Sequence, residues 1–125
     1  MELTFSAKPS CLVARVSGEL DLFSAARFRS LVDGELQKTG APNLVINLKG
    51  LTFVDSTGLG VILGRHKIVS SWGGRFLLTD VSPKVISMFD MAGLLPLFKI
   101  AGTEKEAVEL LSYGASQGTE GGRLA

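Results

Sequence analysis

The stretch that decides how this chain folds is residues 54–60, with the sequence VDSTGLG. It follows a run typical of a strand, residues 43–48, and it opens a run typical of a helix, Gly58–Ser71. Asp55, Ser56 and Thr57 therefore lie where a helix begins. Backbone N–H groups there lack partners within the helix, and the helix dipole is positive. Such a place favours an anion, and its hydroxyls can either cap the helix or accept a phosphate.

Outward from this stretch, strand and helix patterns alternate. Two short runs, Leu3–Ala7 and Cys11–Val16, predict an opening hairpin. Further strands are predicted at Leu44–Leu48, Arg75–Thr79 and Leu97–Ile100, and helices at Ser24, Gly58, Ser82 and Thr103. The order β-β-α-β-α-β-α-β-α predicts an α/β fold, with a mixed, mostly parallel sheet of about five strands and about four helices.

Three of the predicted helices carry apolar stripes that indicate their buried faces. The stripes comprise Ala25, Phe28, Leu31, Val32 and Leu36 in the first helix, Val85, Ile86 and Phe89 in the third, and Ala107, Leu110 and Leu111 in the last. Glycine and proline end the first helix at Gly40 and Pro42, and Gly93 ends the third.

Two segments, Gly18–Asp21 and Thr52–Thr57, are predicted to be loops that follow strands. Such loops gather at one edge of a parallel sheet, where ligands and partners dock. Asp21 could therefore lie close to Ser56, orient its hydroxyl by a hydrogen bond and repel a phosphate placed there. Taken alone, Asp21 is better explained as a solvated loop carboxylate or as a cap of the helix that begins near Ser24, and Asp55 is better explained as a helix cap.

Composition excludes several classes of protein. The 125 residues carry a net charge of +1, from 13 basic and 12 acidic residues, which argues against nucleic acid or an acidic membrane surface as the main partner. Cys11 and His66 are the only cysteine and the only histidine, so neither an internal disulfide nor a cysteine-rich zinc site can form. We expect a cytoplasmic protein with no cofactor, no metal site and no signal peptide.

Enzyme motifs fail at identifiable positions. A nucleophile elbow needs glycine where Val54 stands, and a dinucleotide fingerprint needs glycine where Leu63 stands. No run in the chain matches a P-loop. We therefore expect no catalytic residues, and a small phosphate- or nucleotide-binding enzyme that uses the Ser56 helix start is the less favoured alternative.

Other candidates carry a simpler explanation beside the functional one. Gly58, Gly60 and Gly64 serve either close packing on the sheet or the approach of another protein's backbone, since each interior glycine costs about 1 kcal/mol against alanine. Residues 65–67, Arg-His-Lys, are predicted to form a solvated face, with a partner-facing patch as the alternative. Trp72 is expected to pack a helix end. Residues 88–94, with two methionines, are predicted to be core, with a docking patch as the alternative.

These residues resemble the STAS domain, and more closely the anti-sigma factor antagonists of spore-forming bacteria, in particular those of anti-sigma-F factors. The resemblance covers about residues 3–112 in order and is most specific around Ser56. The matching segments are Gly18–Asp21, Phe53–Arg65, Gly73–Gly74, Ser82–Val85 and Phe89–Leu94. It implies a single STAS domain over residues 1–115, and we expect residues 116–125, rich in glycine and polar residues, to be a flexible tail.

The resemblance also implies a mechanism. In this family the unphosphorylated antagonist binds an anti-sigma factor that is also a serine kinase, and so releases the sigma factor. The kinase uses ATP to phosphorylate the serine after the motif aspartate, here Ser56, and a metal-dependent serine phosphatase resets the switch. The partner-binding residues are expected to be Asp21, Asp55, Ser56, Thr57, Gly58 and Gly60. The function implied is positive regulation of sporulation transcription.

Two departures from the family pattern leave the cognate sigma factor open. Thr57 stands where the sporulation antagonists usually carry a second serine and where general-stress antagonists often carry threonine. Leu22 and Phe23 replace the polar pair usual after Gly18–Asp21. An antagonist from a general-stress or another partner-switching pathway is therefore the alternative within the family.

Overall fold

The computed structural model describes the backbone of residues 1–117 and the side chains of residues 1–112. A five-stranded sheet in the order β1-β2-β3-β4-β5 forms its centre, with β1 antiparallel to β2 and the other pairs parallel. The strands are β1 Glu2–Ala7, β2 Leu12–Leu20, β3 Leu44–Val54, β4 Phe76–Thr79 and β5 Lys99–Ala101. The helices are α1 Ala25–Thr39, α2 Ser56–Ser71, α3 Pro83–Met91 and α4 Glu104–Gln117. The predicted α/β class, with a mixed sheet of five strands and four helices, is confirmed.

The sheet has a core on each face. Helices α1, α2 and α3 cover one face, where Phe28, Ile62 and Phe89 pack with strand residues such as Ile46. Helix α4 covers part of the other face, where Ala107 and Leu111 lie against alternate residues of the central strands, Val13, Val45 and Leu77. Strand residues of β3 and β4 are therefore buried on both faces, as their continuous apolar runs indicate.

Strands include most of the predicted loop Gly18–Asp21 and the first half of the predicted loop Thr52–Thr57. Strand β2 continues through Gly18 to Leu20, and β3 continues through Thr52 to Val54, so that Leu20 pairs with Val54. Two register shifts make this possible, and Gly18 takes a φ of +86° at the second. The loop prediction was wrong because bulges let polar and glycine-containing sequence stay paired.

Helix boundaries follow the predicted caps in part. Ser82 caps α3 by accepting a hydrogen bond from the N–H of Val85, and Thr103 with Glu106 forms the predicted capping box of α4. Ser24 precedes α1 but makes no cap hydrogen bond with its side chain.

The buried stripes are narrower than the sequence predicts. Leu31 and Leu110 are exposed and Ile86 is half-buried, since each lies at the margin of its helix's apolar face. Near the end of the chain, Leu97 belongs to a short 3₁₀ turn before β5, and α4 extends to Gln117. The rest of the predicted tail lies outside the described residues.

Candidate functional site

The ends of β2 and β3 bring the predicted site residues to one edge of the sheet. After Leu20 and Val54 pair, the N–H of Asp55 still donates to the carbonyl of Leu20, at 3.2 Å. The turn after β2 and the start of α2 are therefore one connected junction. We call Asp21, Asp55, Ser56 and Thr57 at this junction the Ser56 site.

Asp55 ties the two halves of the junction together. Its Oδ1 accepts from the N–H of Gly58 at 2.9 Å, which caps α2, and its Oδ2 accepts from the N–H of Leu22 at 3.0 Å. Because one carboxylate satisfies a donor on each segment, it fixes the helix start relative to the turn that follows β2.

Ser56 is the first residue of α2 and is exposed, as is Thr57. No hydrogen bond of either hydroxyl is found among the described residues. The interpretation of Ser56 as the helix cap is wrong, because Asp55 occupies that position with extended backbone and takes the Gly58 N–H. The exposed Ser56 hydroxyl therefore lies at the positive end of α2, where it does not serve as the cap.

Asp21 forms its hydrogen bonds within the turn after β2 and not with Ser56. Its Oδ1 accepts from the N–H of Phe23 at 3.0 Å and from both the N–H and the hydroxyl of Ser24 at 3.1 Å. Within residues 1–112 no hydrogen bond joins Asp21 to Ser56, so the expectation that Asp21 orients the Ser56 hydroxyl is wrong for this structure. The carboxylate nevertheless belongs to the same junction, one residue from the Leu22 N–H that Asp55 binds.

The three glycines of α2 have different surroundings. A Cβ on Gly58 would collide with the carbonyl oxygen of Leu20 and would come within 2.8 Å of Val54 Cγ2. Gly58 is therefore required for close packing of the helix start on the sheet edge, and it is buried. Around Gly60 and Gly64 there is open space on the side where a Cβ would stand. Gly60 is exposed one helical turn beyond Ser56.

Next to the site lie two exposed apolar side chains. Leu22 is 66% exposed and Phe23 is 91% exposed. The hydrogen bonds to Asp55 and Asp21 fix the backbone of both residues.

The basic segment of α2 is solvated only in part, since Lys67 is exposed, His66 is half-buried and Arg65 is buried. Arg65 is only 4% exposed, and its Nε lies 3.0 Å from Asp33 Oδ1 on α1. Burial lowers the pKa of Arg65, and the Asp33 carboxylate acts in the opposite direction. His66 stacks edge-on against Phe76 and Phe98, with ring centroids 5.3 and 5.9 Å apart. The sequence gives no sign of this burial, because the partners lie on other elements.

Two further predictions concerned apolar residues at helix ends. Trp72 follows α2 but is 57% exposed, so it packs the helix end only in part. The apolar group of residues 88–94 divides, since Phe89 is buried whereas Met91 is 87% exposed. Only part of this group is therefore core.

A polar cluster that was not predicted lies on the face of the sheet that α4 covers. The guanidinium of Arg15 donates to both carboxylate oxygens of Glu104, at 2.8 and 2.7 Å, and to Ser6 Oγ at 2.9 Å. Asn47 also donates to Glu104, at 2.9 Å. We call these four residues the Arg15–Glu104 cluster. The sequence signal for this cluster is that Arg15 and Asn47 interrupt the apolar runs of β2 and β3 at paired positions.

Arg15 and Glu104 shift each other's pKa in the directions expected of an ion pair. The hydrogen bonds from Arg15 hold the pKa of Glu104 below its ordinary value, and the same bonds raise the pKa of Arg15.

Among the side chains to residue 112, no group of three or more His, Cys, Asp or Glu is placed to hold a metal ion. Within residues 1–117, no helix has the length and apolar character that crossing a bilayer requires.

The fold and the site define a class of protein, a small α/β domain that presents an exposed hydroxyl at a helix start on its sheet edge. Residues 3–107 match the model of the STAS domain, and the chain belongs to this family. It is 40% identical over 97 residues to the anti-sigma F factor antagonist of Paenibacillus polymyxa, covering 78% of this chain and 83% of that protein. It is 36% identical over 94 residues to the anti-sigma-B factor antagonist of Bacillus subtilis, covering 75% and 84%.

Solved structures give the same family. The anti-sigma factor antagonist SpoIIAA in its unphosphorylated form matches with a TM-score of 0.76 at 28% identity, over 89% of this chain and 96% of that one. The phosphorylated form of SpoIIAA, a Bacillus cell fate determinant, matches with a TM-score of 0.67 at 28% identity, over 86% and 97%. The predicted resemblance to STAS-domain anti-sigma factor antagonists is confirmed.

Proposed function

We propose that this chain is an anti-sigma factor antagonist controlled by phosphorylation of Ser56. The unphosphorylated form binds an anti-sigma factor that is also a serine kinase, and the sigma factor is released. The observation that carries the proposal is the exposed Ser56 hydroxyl, which makes no hydrogen bond among the described residues, at the capped start of α2 in a chain similar to such antagonists. Solved structures of SpoIIAA in both phosphorylation states support a switch of this kind in a relative.

Electrostatics explains how one phosphate turns binding off. Phosphorylation adds a charge of roughly −1.5 to −2 and three acceptor oxygens. The start of α2 tolerates this charge within the fold, because its dipole is positive and the N–H groups of Ser56 and Thr57 have no acceptor within the helix. A partner surface matched to a neutral hydroxyl instead meets bulk and charge beside the carboxylates of Asp55 and Asp21. A loss of about 1.4 kcal/mol already weakens binding tenfold.

The proposed partners are an anti-sigma factor serine kinase that uses ATP and a metal-dependent serine phosphatase that restores the hydroxyl. The contact residues proposed at the surface are Asp21, Asp55, Ser56, Thr57 and Gly60. Gly58 supports them from beneath, because it is buried against Leu20 and Val54. The protein is proposed to act in the cytoplasm, without nucleic acid, membrane or cofactor.

The pathway has two candidates. Similarity to the anti-sigma F factor antagonist of Paenibacillus polymyxa favours positive regulation of sporulation transcription. Similarity to the anti-sigma-B factor antagonist of Bacillus subtilis, together with Thr57 beside the phosphorylated serine, favours a general-stress pathway instead. Sporulation is the first choice because the identity to the F-factor relative is higher.

Copurification from the native host followed by mass spectrometry identifies the kinase, and purified kinase with ATP then tests the proposal. Phosphopeptide mapping should find the phosphate on Ser56. Ser56→Ala should abolish labelling, and the matched control Thr57→Ala should be labelled as the parent chain is. A dominant phosphate on Thr57, or none in residues 54–60, would contradict the proposed switch.

The alternative, an enzyme that uses Ser56, predicts catalytic turnover. The proposed switch has no turnover of its own, so the purified chain should not hydrolyse nucleotides or esters. Steady hydrolysis that disappears in Ser56→Ala would favour the enzyme.

A further inference from the structure

Leu22 and Phe23 are exposed apolar side chains on a fixed turn. Their exposed fractions are 66% and 91%, so neither contributes much to the core of this chain. The Leu22 N–H donates to Asp55 and the Phe23 N–H donates to Asp21, each at 3.0 Å. A turn held in this way presents both side chains with little backbone entropy left to lose on binding.

The position of Leu22 and Phe23 next to Ser56 indicates which partner protein contacts them. Leu22 is bonded to the residue that precedes Ser56, so the pair adjoins the phosphorylation site. A stable protein interface buries about 800 Å² on each partner, far more than one serine supplies. An interface of this size centred on Ser56 therefore extends over the turn. The other exposed or half-buried side chains of the junction are polar, namely Asp21, Asp55, Ser56 and Thr57.

We propose that Leu22 and Phe23 form the apolar docking anchor for the kinase that phosphorylates Ser56. This inference rests on the proposed function. Both side chains are uncharged and neither is the phosphate acceptor, so their contacts are the same before, during and after phosphoryl transfer. The anchor supplies affinity in both phosphorylation states, and Ser56 supplies the discrimination between them.

Steady-state phosphorylation by the purified kinase tests the anchor with Phe23→Ala and a matched control, Met91→Ala. Met91 is 87% exposed at the C-terminal end of α3, whereas the anchor lies at the edge where the helices begin. Phe23→Ala should raise KM about tenfold and leave kcat unchanged, as expected when uniform binding is lost. Phe23→Leu should recover most of the loss, and Met91→Ala should behave as the parent chain.

Calorimetry provides the second readout. Phe23→Ala should weaken kinase binding by a similar factor for the unmodified and the Ser56-phosphorylated chain, so the ratio of the two affinities stays constant. If the parent chain is neither bound nor phosphorylated, the proposed function itself fails. If the parent chain is phosphorylated and Phe23→Ala matches it within twofold, the anchor is wrong. A fall in kcat at constant KM would also contradict it, because Phe23 would then act on the chemical step.

Discussion

The Ser56 site and the Arg15–Glu104 cluster are both polar, but they use their hydrogen bonds differently. In the Arg15–Glu104 cluster the Arg15 guanidinium and the Asn47 amide both donate to the Glu104 carboxylate, which joins β2 and β3 to α4. At the Ser56 site, the carboxylates of Asp55 and Asp21 accept hydrogen bonds from backbone N–H groups and from Ser24, and the hydroxyls of Ser56 and Thr57 stay exposed. Polar groups that satisfy each other stabilise a fold, whereas exposed and uncommitted ones remain available to a partner.

The largest expected effect on stability concerns Gly58, which packs the start of α2 against the end of β2. Gly58→Ala should destabilise the fold by about 3 kcal/mol, because its Cβ meets the backbone carbonyl of Leu20 and that backbone cannot move aside cheaply. The matched variant Gly60→Ala should stabilise the fold by up to about 1 kcal/mol, since its Cβ meets open space. Urea unfolding measures both. Equal effects of the two variants would show that close packing at Gly58 does not set the helix position.

The second prediction concerns how the Arg15–Glu104 cluster stabilises the fold at different pH values. The pKa of Glu104 is lowered from its ordinary value of 4.5, first by hydrogen bonds from Arg15. A carboxylate whose pKa is lower in the folded state stabilises the fold above its unfolded pKa, and this stabilisation is lost as pH falls through the folded value.

Glu104→Gln should therefore cost about 1.5 kcal/mol at neutral pH, allowing for the partial exposure of Arg15. The difference from the parent chain should close as pH falls below about 4.5. Denaturant unfolding across this range is the measurement. A difference that stays constant with pH would mean that the ion pair does not stabilise the cluster.

A third prediction concerns charge at the Ser56 site. Ser56→Glu should weaken kinase binding about tenfold, because it adds one negative charge beside Asp55. The effect should be smaller than that of phosphate, which carries more charge and three acceptor oxygens. Calorimetry with Ser56→Gln as the uncharged control separates charge from size. If Ser56→Glu and Ser56→Gln weaken kinase binding equally, the loss of binding is caused by side-chain size and not by charge.

The smallest expected effects compare the stability lost with the Asp55 cap and with the Ser56 hydroxyl. Asp55→Ala should cost about 1 kcal/mol of stability, because it removes the cap of α2 and the acceptor of the Leu22 N–H. Ser56→Ala should stay within about 0.5 kcal/mol of the parent chain, since the exposed hydroxyl makes no hydrogen bond to the side chains and backbone of residues 1–112. Thermal unfolding followed by circular dichroism compares them. A larger loss in Ser56→Ala than in Asp55→Ala would reverse the assignment of the cap.

Sequence reasoning predicted what is local and missed what is tertiary. The strand–helix alternation and the helix start at residues 55–58 follow from short patterns. Short patterns do not predict that Asp55 rather than Ser56 caps the helix, because the Leu22 N–H, which lies on another segment, donates to the second carboxylate oxygen of Asp55. Burial of Arg65 and the extension of β2 and β3 depend likewise on Asp33 and on pairing between distant residues.

In the proposed switch, modification of Ser56 changes partner binding and not the fold. Calorimetry of the purified kinase against the unmodified and the Ser56-phosphorylated chain, with circular dichroism of both, tests this. We expect affinity at least about a hundredfold weaker for the phosphorylated chain, with the same folded spectrum, since like charges brought together in an interface cost several kcal/mol. Equally tight binding of both folded forms would contradict it, and residues 55–57 would then be an ordinary helix start.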